Sequence, residues 1–405
     1  MRNCIVAQSG GPTAVINSSV IGIFDENLKT QYYNNVYCGL NGIEGILRGD
    51  IKNLSEMDYA TLHNLKYTPS SGLGSCRYKL KSPEENPAEY NKLFDLLTSM
   101  NITTFFYVGG NDSMDTVDKL SKYAELVNSD IKFIGVPKTI DNDLYITDHT
   151  PGFGSAAKII ATTTLETYLD SSVYTNNGIF ILETMGRDTG WLAASAALAQ
   201  IDGKPVADFI YLPEVAFDVD KFLEDVRAKF EEQNQVYIVA SEGIKNADGV
   251  FIADTQPTSS HDNFGHAQLG GVCNTLKELI INAGITSRVK TLELGVIQRC
   301  AMHCASDRDI EEAHMVGRDA INYSIDGETG IMVAIKRVNN SPYVSTTSAI
   351  PVCEIANKIK YFPTDWINET HNHVTEDAIE YVRPLVQGEP NIYTELGMPK
   401  FSLVR

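Results

Sequence analysis

Short apolar segments rich in Val, Ile and Phe alternate with helix-like segments along most of this chain, and this alternation constrains its fold more than any other feature. CIVAQ precedes a helix-like stretch from about Thr13, FFYVGG precedes Met114 to Val127, and the order recurs at GIFILETMG, QVYIVASEG and GIMVAIKR. Such alternation is typical of βαβ units, in which parallel strands form a sheet flanked by helices. We therefore predict an α/β fold with mainly parallel sheets and right-handed crossovers.

The length of the chain predicts two lobes. Its 405 residues, of which 43% are hydrophobic, exceed the size at which one compact core usually stops growing. A loop rich in Asp, Gly and Pro between Thr139 and Ala156 marks the predicted boundary. We expect a first lobe at 1–145, a second lobe at 146–325, and C-terminal strands and a helix that pack on the lobes at 326–405.

Composition and charge argue against several classes of function. The formal net charge of -19 is spread along the chain, which argues against a nucleic-acid partner. No apolar stretch approaches the ~18 residues that a membrane span needs, and the N-terminus leads directly into a predicted strand. The seven cysteines contain no C-x-x-C pair, which favours reduced thiols. We therefore expect a cytoplasmic protein that binds neither nucleic acid nor a membrane.

Glycine turns follow two of the predicted strands, at the ends where α/β proteins bind ligands. In QSGGPTAVIN, Gly10 and Gly11 permit a tight turn that lets helix N–H groups face an anion, although an ordinary strand-to-helix connection explains them equally well. In VGGNDSMDT, Gly110 precedes Asn111 and Asp112. These two side chains are either Mg²⁺ ligands or ordinary helix caps.

The loop after the next predicted strand carries the residues that suit phosphoryl transfer best. GVPKTIDND places Lys138, Asp141 and Asp143 close together. One carboxylate there can accept the proton of an attacking hydroxyl, while the lysine stabilises negative charge on the transferred group. A surface turn rich in Asp and Asn is the weaker alternative.

Arginines and a glutamate in other segments are candidates for binding a phosphorylated sugar. Arg187 in ETMGRDTGW can bind phosphate through its planar guanidinium, or it can pair with an acidic neighbour. Glu242 in ASEG can accept hydrogen bonds from sugar hydroxyls. Further arginines occur in two basic segments, at Arg77 in GSCRYK and at Arg288 and Arg299 in TSRVKTLELGVIQR.

The segments QSGG, GGNDS, PKTIDND, MGR, SEG and IQR occur in the order and approximate spacing of the phosphofructokinase family, over roughly residues 4–325. The chain therefore resembles that family, and in particular its pyrophosphate-dependent members. The resemblance implies a two-lobed α/β fold, Mg²⁺ as cofactor, and reversible phosphoryl transfer to the 1-hydroxyl of fructose 6-phosphate. It also implies a donor-binding lobe at 1–145, a sugar-phosphate-binding lobe at 146–325, and a homodimer or homotetramer with shared active sites.

The resemblance also implies roles for residues in these segments. Asp141 is the implied base, and Arg288 and Arg299 are implied to bind the 6-phosphate. The implied catalytic partners of the base are Lys138, Asp112 and Asp143. The other implied sugar-phosphate contacts are Thr139, Ile140, Asp141, Met185, Gly186, Arg187, Glu242 and Val296. The implied pyrophosphate contacts are Gly11, Arg77, Gly110 and Lys138, and the implied metal ligands are Asn111 and Asp112.

Two positions favour pyrophosphate over ATP as the donor. The ATP-dependent members are similar to this chain, but they carry Gly at the position of Asp112 and usually Gly at that of Lys138. The Asp112 side chain would occupy the space, and bring a negative charge, where a nucleotide α-phosphate must lie. Lys138 supplies the cation that a small inorganic donor needs when phosphate leaves. An ATP-dependent 6-phosphofructokinase is the alternative.

The chain departs from the family pattern at three positions. Asn111 stands where many relatives have a metal-binding Asp, so Asp112, Asp141 or water-bridged contacts are the alternatives for Mg²⁺. Val296 stands where relatives often carry His or Tyr, and Gly178 where many carry a basic residue. These departures leave two further alternatives open, a non-catalytic sugar-phosphate-binding regulatory subunit and a broader acceptor range that includes sedoheptulose 7-phosphate.

Overall fold

The computed structural model describes residues 2–253 and 271–404 of the chain. Strands and helices alternate along both ranges. The strands are β1 (Asn3–Gln8), β2 (Asn35–Gly39), β3 (Ile51–Asn53), β4 (Ile102–Gly109), β5 (Lys132–Pro137), β6 (Gly178–Thr184), β7 (Gln200–Ile201), β8 (Lys204–Pro205), β9 (Phe209–Tyr211), β10 (Gln235–Ser241), β11 (Val289–Glu293), β12 (Ile331–Asn340), β13 (Tyr343–Pro351), β14 (Thr394–Glu395) and β15 (Met398–Pro399). The helices are α1 (Ile16–Thr30), α2 (Gly42–Arg48), α3 (Tyr59–Leu65), α4 (Pro87–Ser99), α5 (Asn111–Leu126), α6 (Phe153–Ser171), α7 (Trp191–Ala194), α8 (Val219–Gln233), α9 (Val272–Asn282), α10 (Ile297–Cys300), α11 (Asp307–Asp326) and α12 (Glu376–Val382).

A seven-stranded sheet forms the centre of the first of two units, in the order β13-β12-β5-β4-β1-β2-β3. The strands from β12 to β2 run parallel, whereas the edge pairs β12–β13 and β2–β3 are antiparallel. Side chains of β1 alternate between two buried clusters. Cys4 and Val6 pack with residues of α1 and α11, while Ile5 and Ala7 pack with residues of α4 and α5. The sheet is therefore covered on both faces, as expected for parallel strands.

The carboxyl ends of three neighbouring strands lie in register in this sheet. Gln8 of β1 pairs with Val108 of β4, and Gly109 of β4 pairs with Pro137 of β5. The loops that follow these strands therefore begin side by side, at the edge of the sheet where α/β proteins bind ligands.

The second unit contains a four-stranded parallel sheet in the order β11-β6-β10-β9. Its buried cluster combines residues of these strands with residues of α8 and α9. A separate aromatic cluster joins Trp191 of α7 to Phe362, Trp366 and Tyr381, with ring centroids 5.0, 6.1 and 5.2 Å from that of Trp191. The prediction of an α/β fold with mainly parallel sheets is confirmed in both units.

The two units differ from the predicted lobes in their bounds. The first unit comprises 1–155, 299–360 and 387–405, and the second comprises 156–298 and 361–386. Residues 299–325, expected in the second lobe, lie in the first unit because α11 packs closely on α1. A Cβ at Gly22 would lie 2.1 Å from the carbonyl oxygen of His314, and one at Gly317 would lie 2.0 Å from that of Ser19. Glycines thus allow the two helix backbones to touch.

Two further observations bear on the class of protein. Within 2–253 and 271–404, no helix is long and apolar enough to cross a bilayer. All seven cysteines are free thiols, and four of them, Cys4, Cys38, Cys76 and Cys273, are buried.

Candidate active site

The loops after β1, β4 and β5 are joined to each other by hydrogen bonds in the first unit. The N–H of Lys138 donates to the carbonyl of Gly109 at the end of β4 across 3.0 Å, and the N–H of Ser9, which follows β1, donates to the carbonyl of Val108 in β4 across 2.9 Å. The N–H of Gly10 donates to the carbonyl of Cys76, in a separate loop, across 3.0 Å. A Cβ at Gly110 would lie 3.5 Å from the carbonyl oxygen of Lys138. Two glycine turns and the start of the lysine loop therefore form one continuous surface of backbone.

Lys138 is a buried cation on this surface, with 3% of the residue exposed. Its Nζ donates a hydrogen bond to the carbonyl of Gly11 across 2.7 Å and lies 3.2 Å from the position of a Cβ at Gly10. Burial lowers the pKa of Lys138 to about 8, although the negative charges of Asp141 and Asp143 oppose this shift. The amine is therefore largely protonated at neutral pH, in a place from which water is excluded.

Two arginines lie close to the same glycine turn. Nη1 of Arg299 lies 3.1 Å from the position of a Cβ at Gly11. Burial lowers the pKa of Arg299, and the positive charge of Arg77 lowers it further. Both arginines also lower the pKa of Lys138. Like charges in such proximity repel each other unless an anion lies between them, so the cluster suits a ligand with several negative charges.

The carboxylates of Asp141 and Asp143 lie in the lysine loop and repel each other electrostatically. The N–H of Asp141 donates to Oγ1 of Thr139 across 3.1 Å, and this hydroxyl lies 3.4 Å from Oδ2 of Asp141. Burial and the negative charge of Asp141 raise the pKa of Asp143 to about 7, against the attraction of Lys360. Ile140 between the hydroxyl and the first carboxylate is buried. The pair therefore carries less than its full negative charge near neutral pH, which is common where carboxylates act on protons.

Lys360 holds the loop that contains these carboxylates, and nothing in the sequence predicted this role. Its Nζ donates to Oδ1 of Asn142 at 3.1 Å and to the carbonyls of Thr147 and Asp148 at 3.2 and 2.7 Å. Oδ1 of Asn142 also accepts the N–H of Thr150 across 3.1 Å. The only signal in the sequence is a lysine that alternates with apolar residues in NKIKYF. That signal is shared by many ordinary strands.

Asn111 and Asp112 begin α5 directly after the second glycine turn. Oδ1 of Asn111 accepts the N–H of Asn357, and its Nδ2 donates to the carbonyl of Lys358, each across 2.6 Å. Asp112 lies in the first turn of the helix, two residues after Gly110. A carboxylate is favourable there because the helix dipole is positive at its N-terminus.

The residues of this unit fit a partial Mg²⁺ site. Among the residues that the structure describes, no group of three or more His, Cys, Asp or Glu side chains is arranged to hold a metal ion. Mg²⁺ is usually bound by only one or two carboxylates, together with water and substrate phosphates. Asp112 is a candidate for such a carboxylate, and Lys138 and Arg77 are candidate cations for the substrate phosphates.

Loops at the carboxyl ends of β6 and β10 carry predicted sugar-binding residues in the second unit. The N–H of Gly186 donates to Oε1 of Glu242 across 3.3 Å. The N–H of Met185 donates to Oε1 of Gln298 across 3.1 Å. These three predicted residues, Met185, Gly186 and Glu242, are therefore brought together, and Gln298 is a contact that the sequence did not single out.

Arg187 follows in the same loop and retains an unused donor. Its Nε is buried and makes no hydrogen bond among the described residues. The backbone carbonyl of Arg187 lies 2.0 Å from the position of a Cβ at Gly243, so only glycine allows this approach. A buried donor without a partner is costly, and an anionic ligand would relieve that cost.

The structure does not bring Arg288 together with these loops within the second unit. Arg288 directly precedes β11, and a Cβ at Gly178, the first residue of β6, would lie 2.4 Å from its carbonyl oxygen. Its guanidinium lies 4.9 Å from the ring centroid of Tyr174. Met185 follows the other end of β6, which is about 20 Å away at ~3.3 Å per residue. Val296 lies beyond the carboxyl end of β11 and is 59% exposed.

The chain is similar to phosphofructokinases in both sequence and structure. The sequence model described as phosphofructokinase matches residues 3–322. A pyrophosphate–fructose 6-phosphate 1-phosphotransferase of Halomonas elongata is 41% identical, with 99% of this chain and 96% of the relative covered. The protein of the same name from Methylococcus capsulatus is 40% identical, with 99% and 95% covered. The crystal structure of a pyrophosphate-dependent phosphofructokinase from Nitrosospira multiformis superposes with a TM-score of 0.88 at 35% identity, with 98% and 95% covered.

Proposed function

Because the chain belongs to the phosphofructokinase family, we propose that it catalyses reversible phosphoryl transfer from pyrophosphate to the 1-hydroxyl of fructose 6-phosphate. The products of the forward reaction are fructose 1,6-bisphosphate and phosphate. The relatives from Halomonas elongata and Methylococcus capsulatus are named for this reaction. The observation that carries the choice of donor is the buried amine of Lys138 beside the glycine turn, with Asp112 nearby in the first turn of α5.

The cations of the first unit bind and stabilise the donor. Lys138 lies against the turn of Gly10 and Gly11, and Arg77 is close enough to lower the pKa of Lys138, while the absence of side chains on the glycines lets a ligand approach the backbone. Pyrophosphate has no adenosine group by which to be held, so its binding energy must come from charges of this kind. The same charges stabilise the phosphate that leaves after transfer.

Asp141 acts as the general base. As the oxygen of the 1-hydroxyl attacks the terminal phosphorus of pyrophosphate, the carboxylate accepts its proton and the bond to the leaving phosphate breaks. Asp143 lies close enough to raise the proton affinity of the pair, and the same pair gives the proton back in the reverse direction. Thr139 limits the motion of Asp141 through its hydroxyl.

The loops of the second unit bind the acceptor. Glu242 already accepts the N–H of Gly186 and has further oxygen lone pairs for sugar hydroxyls. Arg187 has a buried Nε that no described residue satisfies. We assign Met185 to the apolar side of the sugar. The other proposed sugar-phosphate contacts Thr139, Ile140, Asp141 and Arg299 belong to the first unit.

A bound Mg²⁺ would supply positive charge that stabilises the negative charge of pyrophosphate during transfer. Asp112 would hold the ion from the protein, since Mg²⁺ commonly needs only one or two carboxylates in addition to substrate phosphates. The carboxylate also explains the choice of donor, because it brings negative charge to a position that is glycine in the ATP-dependent relatives.

Arg288 supports an assembly of identical subunits. It lies far from Met185 in its own unit, so a role on the 6-phosphate of fructose 6-phosphate requires that it reach the site of a neighbouring copy. We therefore propose a homodimer or homotetramer with shared active sites. The seven free cysteines support a cytoplasmic location.

The alternatives receive less support. The named relatives are phosphotransferases that use pyrophosphate, which argues against an ATP-dependent enzyme. A regulatory subunit without activity has no need of the coupled carboxylates or of a buried lysine beside them. A broader acceptor range remains compatible with the exposed Val296.

The test is formation of fructose 1,6-bisphosphate by the purified protein with Mg²⁺ and fructose 6-phosphate, with pyrophosphate or ATP as donor. Activity with pyrophosphate alone is the expected result. Activity with ATP alone would overturn the assignment of the donor, and activity with neither would overturn the proposal unless sedoheptulose 7-phosphate is turned over instead.

A further inference from the structure

A short segment, residues 357–360, contacts both the start of α5 and the loop after β5 in the first unit, and we call it the strap. Its first contact is with Asn111 at the start of α5. The side-chain amide of Asn111 accepts the N–H of Asn357 and donates to the carbonyl of Lys358, so it pairs with the strap as a backbone peptide group would. Nδ2 of Asn357 in turn donates to Oδ1 of Asp115 across 3.0 Å.

The other end of the strap contacts the loop that carries the proposed base. Ile359 forms an antiparallel bridge with Leu144, and the N–H of Lys360 donates to the carbonyl of Asp143 across 2.8 Å. Nζ of Lys360 extends the contact to the carbonyls of Thr147 and Asp148. The strap therefore joins the start of α5 to the loop after β5 by direct hydrogen bonds at both ends.

The loop of the base needs such support because its backbone is strained. Asn142 and Ile146 have φ of 54° and 56°, in the left-handed region. This region is acceptable for Asn but costly for a β-branched residue such as Ile. Strained conformations persist only where surrounding contacts hold them, and the strap contacts Asp143 and Leu144 between the two strained residues.

The contacts of Asn111 also decide which side chain this position accepts. Its amide uses one donor and one acceptor toward the strap. A carboxylate of the same shape keeps the acceptor but loses the donor, and places a negative charge against the carbonyl of Lys358. Aspartate at this position would therefore repel the strap.

We propose that the strap fixes the start of α5, which carries Asp112, against the loop of Asp141, and that Asn111 and Lys360 are positioning residues for phosphoryl transfer. The inference rests on the proposed function for its kinetic consequence, but the mechanical link between the loops does not. Asn111 thereby serves the geometry of the site instead of ligating the metal.

The experiment compares hydrogen exchange and kinetics of Asn111→Asp and Lys360→Met with two matched controls on exposed positions, Asn128→Asp and Lys336→Met. Exchange is measured on the full chain without metal or substrate. Each strap variant should accelerate amide exchange in both segments that the strap contacts, at 109–116 and at 140–148. The expected increase is about fivefold or more, because this is the factor that one ordinary hydrogen bond contributes. In the two control variants, the exchange rates of both segments should equal those of the wild type.

The kinetic arm separates positioning from metal binding. Asn111→Asp should lower kcat by about tenfold, since small misplacement of reacting groups is costly, with the Mg²⁺ concentration for half-maximal activity unchanged. Lys360→Arg should recover part of the kcat that Lys360→Met loses. A gain in Mg²⁺ affinity in Asn111→Asp, or faster exchange confined to the loop next to each substitution, would overturn the inference.

The two arms also distinguish this inference from the proposed function. If the wild-type protein has no activity with pyrophosphate, the exchange arm still reports whether the loops are linked. Asn111→Asp changes no side-chain volume, so it keeps the test decisive should Lys360→Met fail to fold.

Discussion

Nζ of Lys138 donates a hydrogen bond to the backbone carbonyl of Gly11 across 2.7 Å, and this bond joins the loop after β5 to the loop after β1. In the proposed function, this amine binds a phosphate of the donor beside the glycine turn. Burial keeps water away from it and makes its charge more effective on a bound anion. The cost of burial appears as a pKa lowered to about 8.

The pKa of Lys138 predicts an alkaline limit to activity. A lowered lysine pKa means that the positive charge is present below about pH 8 and is lost as the pH rises through that value. We expect kcat/KM for pyrophosphate, which reports on the free enzyme, to fall above about pH 8. Lys138→Met should lower kcat by about 10²–10³-fold and abolish this alkaline limb, and Lys336→Met should show neither effect. A limb that persists in Lys138→Met would assign the titration to another group.

Replacement of the proposed base should remove chemistry and spare binding. In Asp141→Asn we expect kcat to fall by about 10²–10⁴-fold in both directions, the usual contribution of a general base. Affinity for fructose 6-phosphate, measured by calorimetry, should change little because the amide keeps the size of the side chain. Asp95→Asn, at an exposed position of α4, is the control. Retention of kcat in Asp141→Asn would move the role of base to Asp143.

The features predicted from the sequence are those that depend on neighbours along the chain. The alternation of Cys4, Ile5, Val6 and Ala7 between two faces follows from strand geometry alone. Likewise, Lys138 directly follows β5, so its place at the carboxyl end of the sheet depends only on its neighbours in the sequence. The strap contacts were not predictable in this way, because Asn111 bonds a residue 246 positions later in the chain.

The bounds of the two units likewise depend on contacts between residues that are far apart in the sequence. The helical periodicity of α11 predicts a helix but says nothing about which sheet it covers. Its place in the first unit depends on Gly22 and Gly317, 295 positions apart (317 − 22). A glycine in a helix indicates only a low helix propensity when the sequence is considered alone. Its role in close helix packing becomes apparent only when the partner helix is known.

The choice of donor should depend on the two side chains that the ATP-dependent relatives lack. We expect Asp112→Gly/Lys138→Gly to lose most activity with pyrophosphate and to gain measurable activity with ATP, because space is opened and the negative charge of Asp112 is removed. The measurement is kcat/KM for each donor at saturating fructose 6-phosphate. No gain with ATP would mean that residues outside these two positions exclude the nucleotide.

Gly243 provides a test of the acceptor loop in which none of the proposed sugar-binding residues is itself substituted. A Cβ at this residue would lie 2.0 Å from the backbone carbonyl of Arg187 and 2.5 Å from that of Gly186. Since both contacts are to backbone, Gly243→Ala must displace the loop. We expect it to cost about 1–3 kcal/mol in the free energy of unfolding and to raise KM for fructose 6-phosphate by about tenfold or more. KM for pyrophosphate should change much less.

Gly249→Ala is the matched control for this substitution. Gly249 has a φ of 76° and nothing within 4 Å of its Cβ position, so alanine there introduces backbone strain without a clash. It should destabilise the protein by about 1–2 kcal/mol with KM for fructose 6-phosphate unchanged. If both variants raise that KM equally, general loss of stability explains the effect. If only Gly243→Ala raises it, the position of the Arg187 loop controls binding of the sugar phosphate.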